Sequence, residues 1–256
     1  MAVRAGLTTG ITAGVRAGVN WSASGVATDG PDGVYVPASA ADFTELGITA
    51  PTSLRTWQEA SGNLLDAIGS KTLTAGGSPL YQQTVADWSR KFISFNNTLT
   101  QRFRDATYAD STALSIFVLM YVGYNAAPNA STHIMTYGAG DNTSMTAGSG
   151  GQQTFRYRQS GNISQAAGTY TGPTVHPVGF LRDLTGSRAR LYTLTEKLSP
   201  TFGSSTGTVF AYGANNGNSA TVSFGWSAEW VGPTAEFSDA QVKVIYQQLG
   251  WSPSWS

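Results

Sequence analysis

Glu229, Glu236 and Asp239 form the tightest acidic group in the sequence. Paired carboxylates matter because retaining glycoside hydrolysis needs an acid and a nucleophile about 5 Å apart. Only five glutamates occur in the chain, an E-x-D-x-x-E run is absent, and Asp239 reads better as charge at a helix start. His133 and His176 are the two histidines, and a structural hydrogen-bonding role is the simpler reading of each. The sequence holds no G-x-S-x-G elbow, H-E-x-x-H, Walker loop or EF-hand loop. Zero cysteines exclude thiol nucleophiles, disulfides and zinc-thiolate sites. No hydrolase activity is expected.

Binding chemistry is better represented. Tyr124, Tyr137, Tyr170 and Tyr212 fall at the ends of strand-like runs or in loops, where flat rings can stack on sugars. Asn125, Asn142 and Asn215 lie close by in sequence and can hydrogen-bond hydroxyls. Packing between sheets is the alternative role for each tyrosine. Asp141-Asn142 and Asn215-Asn216 are candidate calcium ligands, since Ca²⁺ takes carboxylate and carbonyl oxygens. The alternative is that these residues only serve turns.

The elements that must position these groups are short. From Arg55 onward the chain alternates apolar and polar residues in brief runs, as in Phe155-Arg156-Tyr157-Arg158 and Val222-Ser223-Phe224-Gly225-Trp226. Period-two alternation argues half-buried antiparallel strands. A dozen such runs predict an all-β antiparallel sandwich with Phe95, Phe117, Phe180, Leu191, Phe224 and Trp226 inward. Gly148-Ser149-Gly150-Gly151 reads as a hairpin loop. One clear helix follows Phe237, with Ser238 as N-cap, Gly250 as terminator and Val242, Ile245 and Leu249 on one face. It is expected to close one end of the sandwich. A short helical turn is expected over residues 40–46 with Ser39 as cap and Asp42 at the third position. Trp251 and Trp255 flank Pro253 and are expected to dock the tail back.

Three regions result: an arm over 1–21, a Gly/Pro/Asp-rich lead-in over 22–54 and the sandwich over 55–256. The arm carries four tetrads with glycine third, at Gly6, Gly10, Gly14 and Gly18, and an aliphatic fourth, at Leu7, Ile11, Val15 and Val19. Small residues at i and i+4 allow close approach of backbones. Each glycine costs an isolated helix about 1 kcal/mol, so this segment orders only against a partner. A homo-oligomer or an attachment surface is expected there; a low-complexity tail is the alternative.

Composition removes other classes. Fifteen Lys and Arg balance fifteen Asp and Glu, and 12% of residues are charged. A neutral chain without a basic cluster is a poor nucleic-acid binder. No run of 18 apolar residues exists, so no membrane span is expected. The N-terminus lacks the apolar core of a signal peptide.

Four stretches, in order, resemble the LamG-like, concanavalin A-like lectin and glucanase jelly rolls. They are Trp57-Gln58-Glu59-Ala60-Ser61-Gly62-Asn63 with Asp66-Ala67-Ile68-Gly69; Trp88 to Phe95; His176 to Asp183 with Arg190-Leu191-Tyr192; and Glu229-Trp230-Val231 with Phe237 to Val242 and Tyr246. Val175 stands where the family has tryptophan, and Thr193 to Lys197 replaces its D-G turn. The resemblance implies a lectin-like jelly roll, and many members hold calcium. With the arm, it points to a non-catalytic sandwich displayed on a larger assembly, such as a bacteriophage virion surface or decoration protein. Capsid or tail protein, or a second copy, would be the arm's partner, a surface glycan the ligand, and the virion or extracellular space the location. A free lectin domain is the alternative, and a glycan hydrolase the next.

Overall fold

The computed structural model describes residues 33–56, 62–85, 88–95, 101–105, 115–124, 132–137, 143–149, 152–159, 162–167, 174–200, 210–213 and 223–256. Strands are numbered along the chain. The first sheet runs β13 (Lys197–Leu198), β12 (Arg188–Tyr192), β11 (Thr174–Asp183), β6 (Ile116–Tyr124), β15 (Ser223–Val231), β4 (Phe92–Ser94), β3 (Leu80–Gln83), and β1 (Ser53–Arg55) also pairs with β15. The second runs β10 (Asn162–Ala167), β9 (Gln152–Gln159), β8 (Thr143–Ser149), β7 (Thr132–Tyr137), β14 (Phe210–Gly213), β5 (Arg102–Asp105), β2 (Thr74–Gly76). The described ladders are all antiparallel. The expected antiparallel sandwich is therefore what the chain forms. Ser149 pairs with Gln152, so β8 and β9 are a hairpin, with Gly148 and Ser149, expected in its loop, belonging to β8 instead.

The central strand β6 is buried on both faces. Ile116, Val118, Met120 and Val122 join Phe180, Leu191, Phe103, Phe155 and Phe210 in the core between the sheets. Phe117, Leu119 and Tyr121 face the other way into a second core. That is why 116–122 reads as an unbroken apolar run rather than an alternating one.

The second core corrects two expectations. Phe95, Phe180, Leu191 and Phe224 do lie between the sheets, but Phe117 and Trp226 lie on the outer face of the first sheet. Phe224 and Trp226 are two apart and should share a face. A register shift between them, around Gly225, reverses the parity. Gly225 is required there because a Cβ would sit 2.8 Å from the Phe92 ring. Beyond the shift, Trp226, Ala228 and Trp230 face outward.

A third layer covers that outer face. It is made by the stretch expected as a lead-in, by the C-terminal helix and by the tail. Helix α1 (Ala40–Glu45) starts from Ser39 with a capping box closed by Asp42, and buries Phe43. Trp226 Nε1 donates to Pro37 O at 2.7 Å, Trp230 Nε1 to Thr49 O at 2.9 Å and Tyr121 Oη to Tyr35 O at 2.9 Å. From residue 33 onward this stretch is thus bonded into the fold. Helix α2 (Asp239–Gln248) is capped by Ser238 and buries Val242, Ile245 and Tyr246 in the same core. It lies over the sheet face instead of closing an end. The tail docks as expected: Trp255 Nε1 donates to Thr193 O at 2.7 Å, and Trp251 stacks on Trp88. Between β12 and β13 the Thr193 hydroxyl accepts from the Thr195 and Glu196 amides and makes the turn.

Candidate functional site

Past the Gly225 shift, Ser227 and Glu229 point between the sheets. Both are buried, and so is Arg55 on the neighbouring β1. Arg55 Nε lies 3.0 Å from Glu229 Oε1, and its second amino group 3.4 Å from Oε2. From the opposite sheet Tyr212 donates to Glu229 Oε1 at 2.8 Å, which leaves the Ser227 hydroxyl, 2.6 Å away, to donate to Tyr212. Burial alone would weaken Arg55 as a base, but the charge and hydrogen bonds of Glu229 outweigh it and raise its pKa. Burial, then the Glu229 charge, pushes the Tyr212 hydroxyl well above its ordinary range. The cluster holds Arg55 as a cation and Tyr212 as a neutral phenol.

This cluster shapes a surface loop. Arg55 also donates to Lys71 O, tying 66–72 to the sandwich. Asp66 organises the loop from within: Oδ1 accepts from the amides of Leu54, Ile68 and Gly69, and Oδ2 from Lys71. Partial burial opposes ionisation of Asp66, but these amide bonds prevail and hold its pKa low. A Cβ on Gly69 would lie 2.5 Å from both Asp66 Oδ2 and Thr52 O, so only glycine closes this turn. Asp66-Ala67-Ile68-Gly69 is therefore a loop-building device.

The loop forms one wall of a groove of about 700 Å³ at the edge of the second sheet. The floor is β2 paired with β5, Thr74 opposite Arg104 and Gly76 opposite Arg102. Phe103 and Ala75 point into the core between the sheets, so Arg102 and Arg104 face outward. Among the described residues that line the groove, Lys71, Arg102 and Arg104 stand with one carboxylate, Asp105, and the hydroxyl-bearing Ser70, Thr72 and Thr74. Neither the Arg102 nor the Arg104 side chain forms a hydrogen bond or ion pair among the described residues, and Arg104 Nε is shielded from solvent without a partner. A second groove of about 570 Å³ lies by Tyr81, Arg90 and Lys91. There Tyr81 Oη and Arg90 both donate to Thr56 O, so its polar groups are already engaged.

The acidic group singled out from sequence does not converge. Glu229 is sealed inside the sandwich. Glu236 accepts from Thr185 at 2.7 Å. Asp239 sits on the opposite side of the sheet, accepting from Tyr192 at 2.8 Å beside Lys197 at 3.1 Å and Arg190 at 3.4 Å. His176 is packed edge-to-face with Phe155, and burial lowers its pKa to about 4.

The expected aromatic platform is only partly placed. Tyr212 is wholly buried and offers no ring to a ligand, because β14 is covered by the first sheet. Tyr124 ends β6 and Tyr137 ends β7. His133 lies on β7. Asn125, Asn142, Tyr170 and Asn215 lie outside the described residues, as do Asp141 and Asn216 of the calcium candidates and the arm glycines and aliphatics. Among the described residues no three His, Asp or Glu side chains stand together as a metal site. No described helix is long and apolar enough to cross a membrane.

No family model matches the chain and no curated protein does. Solved structures do. The Trypanosoma rangeli sialidase in complex with sialic acid is 9% identical with a TM-score of 0.56, over 80% of this chain and 35% of that one. The receptor binding domain of botulinum neurotoxin type G is 10% identical with a TM-score of 0.53, over 79% of this chain and 54% of that one. A botulinum neurotoxin type C structure, described by cell entry that depends upon interaction with two ganglioside molecules, is 10% identical with a TM-score of 0.50, over 78% of this chain and 52% of that one. The chain thus spans about a third of the sialidase and about half of each toxin chain. At such identity the likeness is one of fold: a β-sandwich of the lectin-like kind.

Proposed function

We propose that this chain is a non-catalytic carbohydrate-binding sandwich whose saccharide site is the groove between the 70–72 loop and strands β2 and β5. The observation that carries the reading is a hydroxyl-lined groove containing two arginines without partners among the described residues. Unpaired guanidinium groups on a rigid strand are pre-set donors for oxygen-rich ligands. The fold neighbours named for sialic acid and gangliosides favour a glycan as that ligand. The separate structural engagement of Glu229, Glu236 and Asp239 favours binding without turnover. The tetrad arm supports attachment of the sandwich to a larger assembly such as a virion surface, through capsid or tail protein or a second copy. A glycan array read together with a reducing-end assay tests the reading. Retention of a defined glycan without release of reducing ends is expected; turnover, or no retained glycan, would overturn it.

A further inference from the structure

We propose that the groove selects acidic saccharides, with the ligand's carboxylate held by Arg102 and Arg104; this rests on the carbohydrate reading above. Three observations lead there. First, Lys71, Arg102 and Arg104 face Asp105 in a chain whose net charge is zero. Positive charge is concentrated where the rest of the protein has none to spare.

Second, the arginines are two apart on one strand, so they project from the same face at a spacing of roughly 7 Å. Like charges so placed repel, and neither has an acidic partner among the described residues. On β12 of the first sheet, by contrast, Arg188 is paired with Asp183 at 2.8 Å and Arg190 with Asp239 at 3.4 Å. An anion bridging Arg102 and Arg104 relieves the repulsion, and guanidinium matches carboxylate in a planar, two-bonded geometry.

Third, Arg104 Nε has neither water access nor a hydrogen-bond partner, while lining the groove. A buried donor left unpaired is unfavourable, and a small turn of the Arg104 side chain towards an acceptor oxygen in the groove relieves it. The hydroxyls of Thr72 and Thr74 flank the cations and suit the ring hydroxyls of the same sugar. The open run along the sheet edge suits an oligosaccharide chain.

The test is calorimetric titration of the full chain with a sialyl-oligosaccharide, an oligogalacturonate and a neutral dextran oligosaccharide, at low and raised salt. The Arg102→Gln/Arg104→Gln double variant is titrated alongside, its fold checked by its melting curve. Binding of one or both acidic ligands, weakened by salt and by about tenfold or more in the variant, is expected. Which acidic ligand binds separates a sialic acid from a uronic acid. Binding to dextran alone, or acidic binding unaltered in the folded variant, would overturn the inference and leave the carbohydrate reading standing. If the double variant does not fold, the single variant Arg102→Gln replaces it, with the same salt and ligand discrimination required. Binding to none of these, and to no glycan on an array, would overturn the reading itself.

Discussion

Arg55 and Glu229 form a two-pronged ion pair between the sheets, at 3.0 and 3.4 Å, with neither side chain exposed. The pair links the sheets through Tyr212 and fixes the loop at Lys71 that walls the groove. Glu229→Ala leaves Arg55 buried and unpaired. Urea denaturation should show a loss of about 3–5 kcal/mol, as when one partner of a buried pair is removed. A change within a few tenths would mean the pair contributes nothing to holding the sheets.

Gly225→Ala tests the register shift. A Cβ at this position meets the Phe92 ring at 2.8 Å, and Phe92 is fully buried. Crowding of this kind typically costs about 1–3 kcal/mol. Tryptophan fluorescence should move as well, because Trp226 follows the shift directly. A variant with unaltered stability would show that Phe92 yields freely.

Stability should fall as pH drops from about 6.5 towards 4. Burial lowers the His176 pKa from 6.5 to about 4, so in this window the unfolded chain binds a proton that the folded one does not. The effect is complete below about 4. Asp66, Asp183 and Asp239 are held below the ordinary carboxylate range, so their contributions are lost only at still lower pH. A His176→Gln variant should flatten the melting temperature between these limits. An unchanged slope would assign it to another group.

Truncation separates the arm from the third layer. A chain starting at residue 31 should melt like the full chain, while any oligomer or attachment made by 1–21 is lost. A chain starting at residue 55 should fail to fold, because it uncovers Trp226 and Trp230 and removes Phe43, Leu46 and Leu54 from the second core. Folding of the shorter chain would contradict the three-layer account.

What could be read from the sequence follows the range of the interactions. Ser39 with Asp42 and Ser238 with its following turn are local, and both helices start where those residues place them. The third layer was not legible, because Trp226 finds Pro37 across 189 residues of chain. Phe224 and Trp226 misled because one extra residue in a ladder inverts every side chain after it. The groove was hidden for a similar reason. Thr74-Ala75-Gly76 carries too little patterning to announce a strand, and without β2 the arginines of β5 look like an ordinary solvated face.

The central claim is that saccharide binds the groove and not a rim of tyrosines and asparagines. Backbone hydrogen exchange, with and without a retained acidic oligosaccharide, tests it most directly. The account predicts slowed exchange in segments 70–76 and 102–105 on binding. Slowed exchange confined to the neighbourhoods of Tyr124 and Tyr137, with 70–76 and 102–105 unchanged, would contradict it.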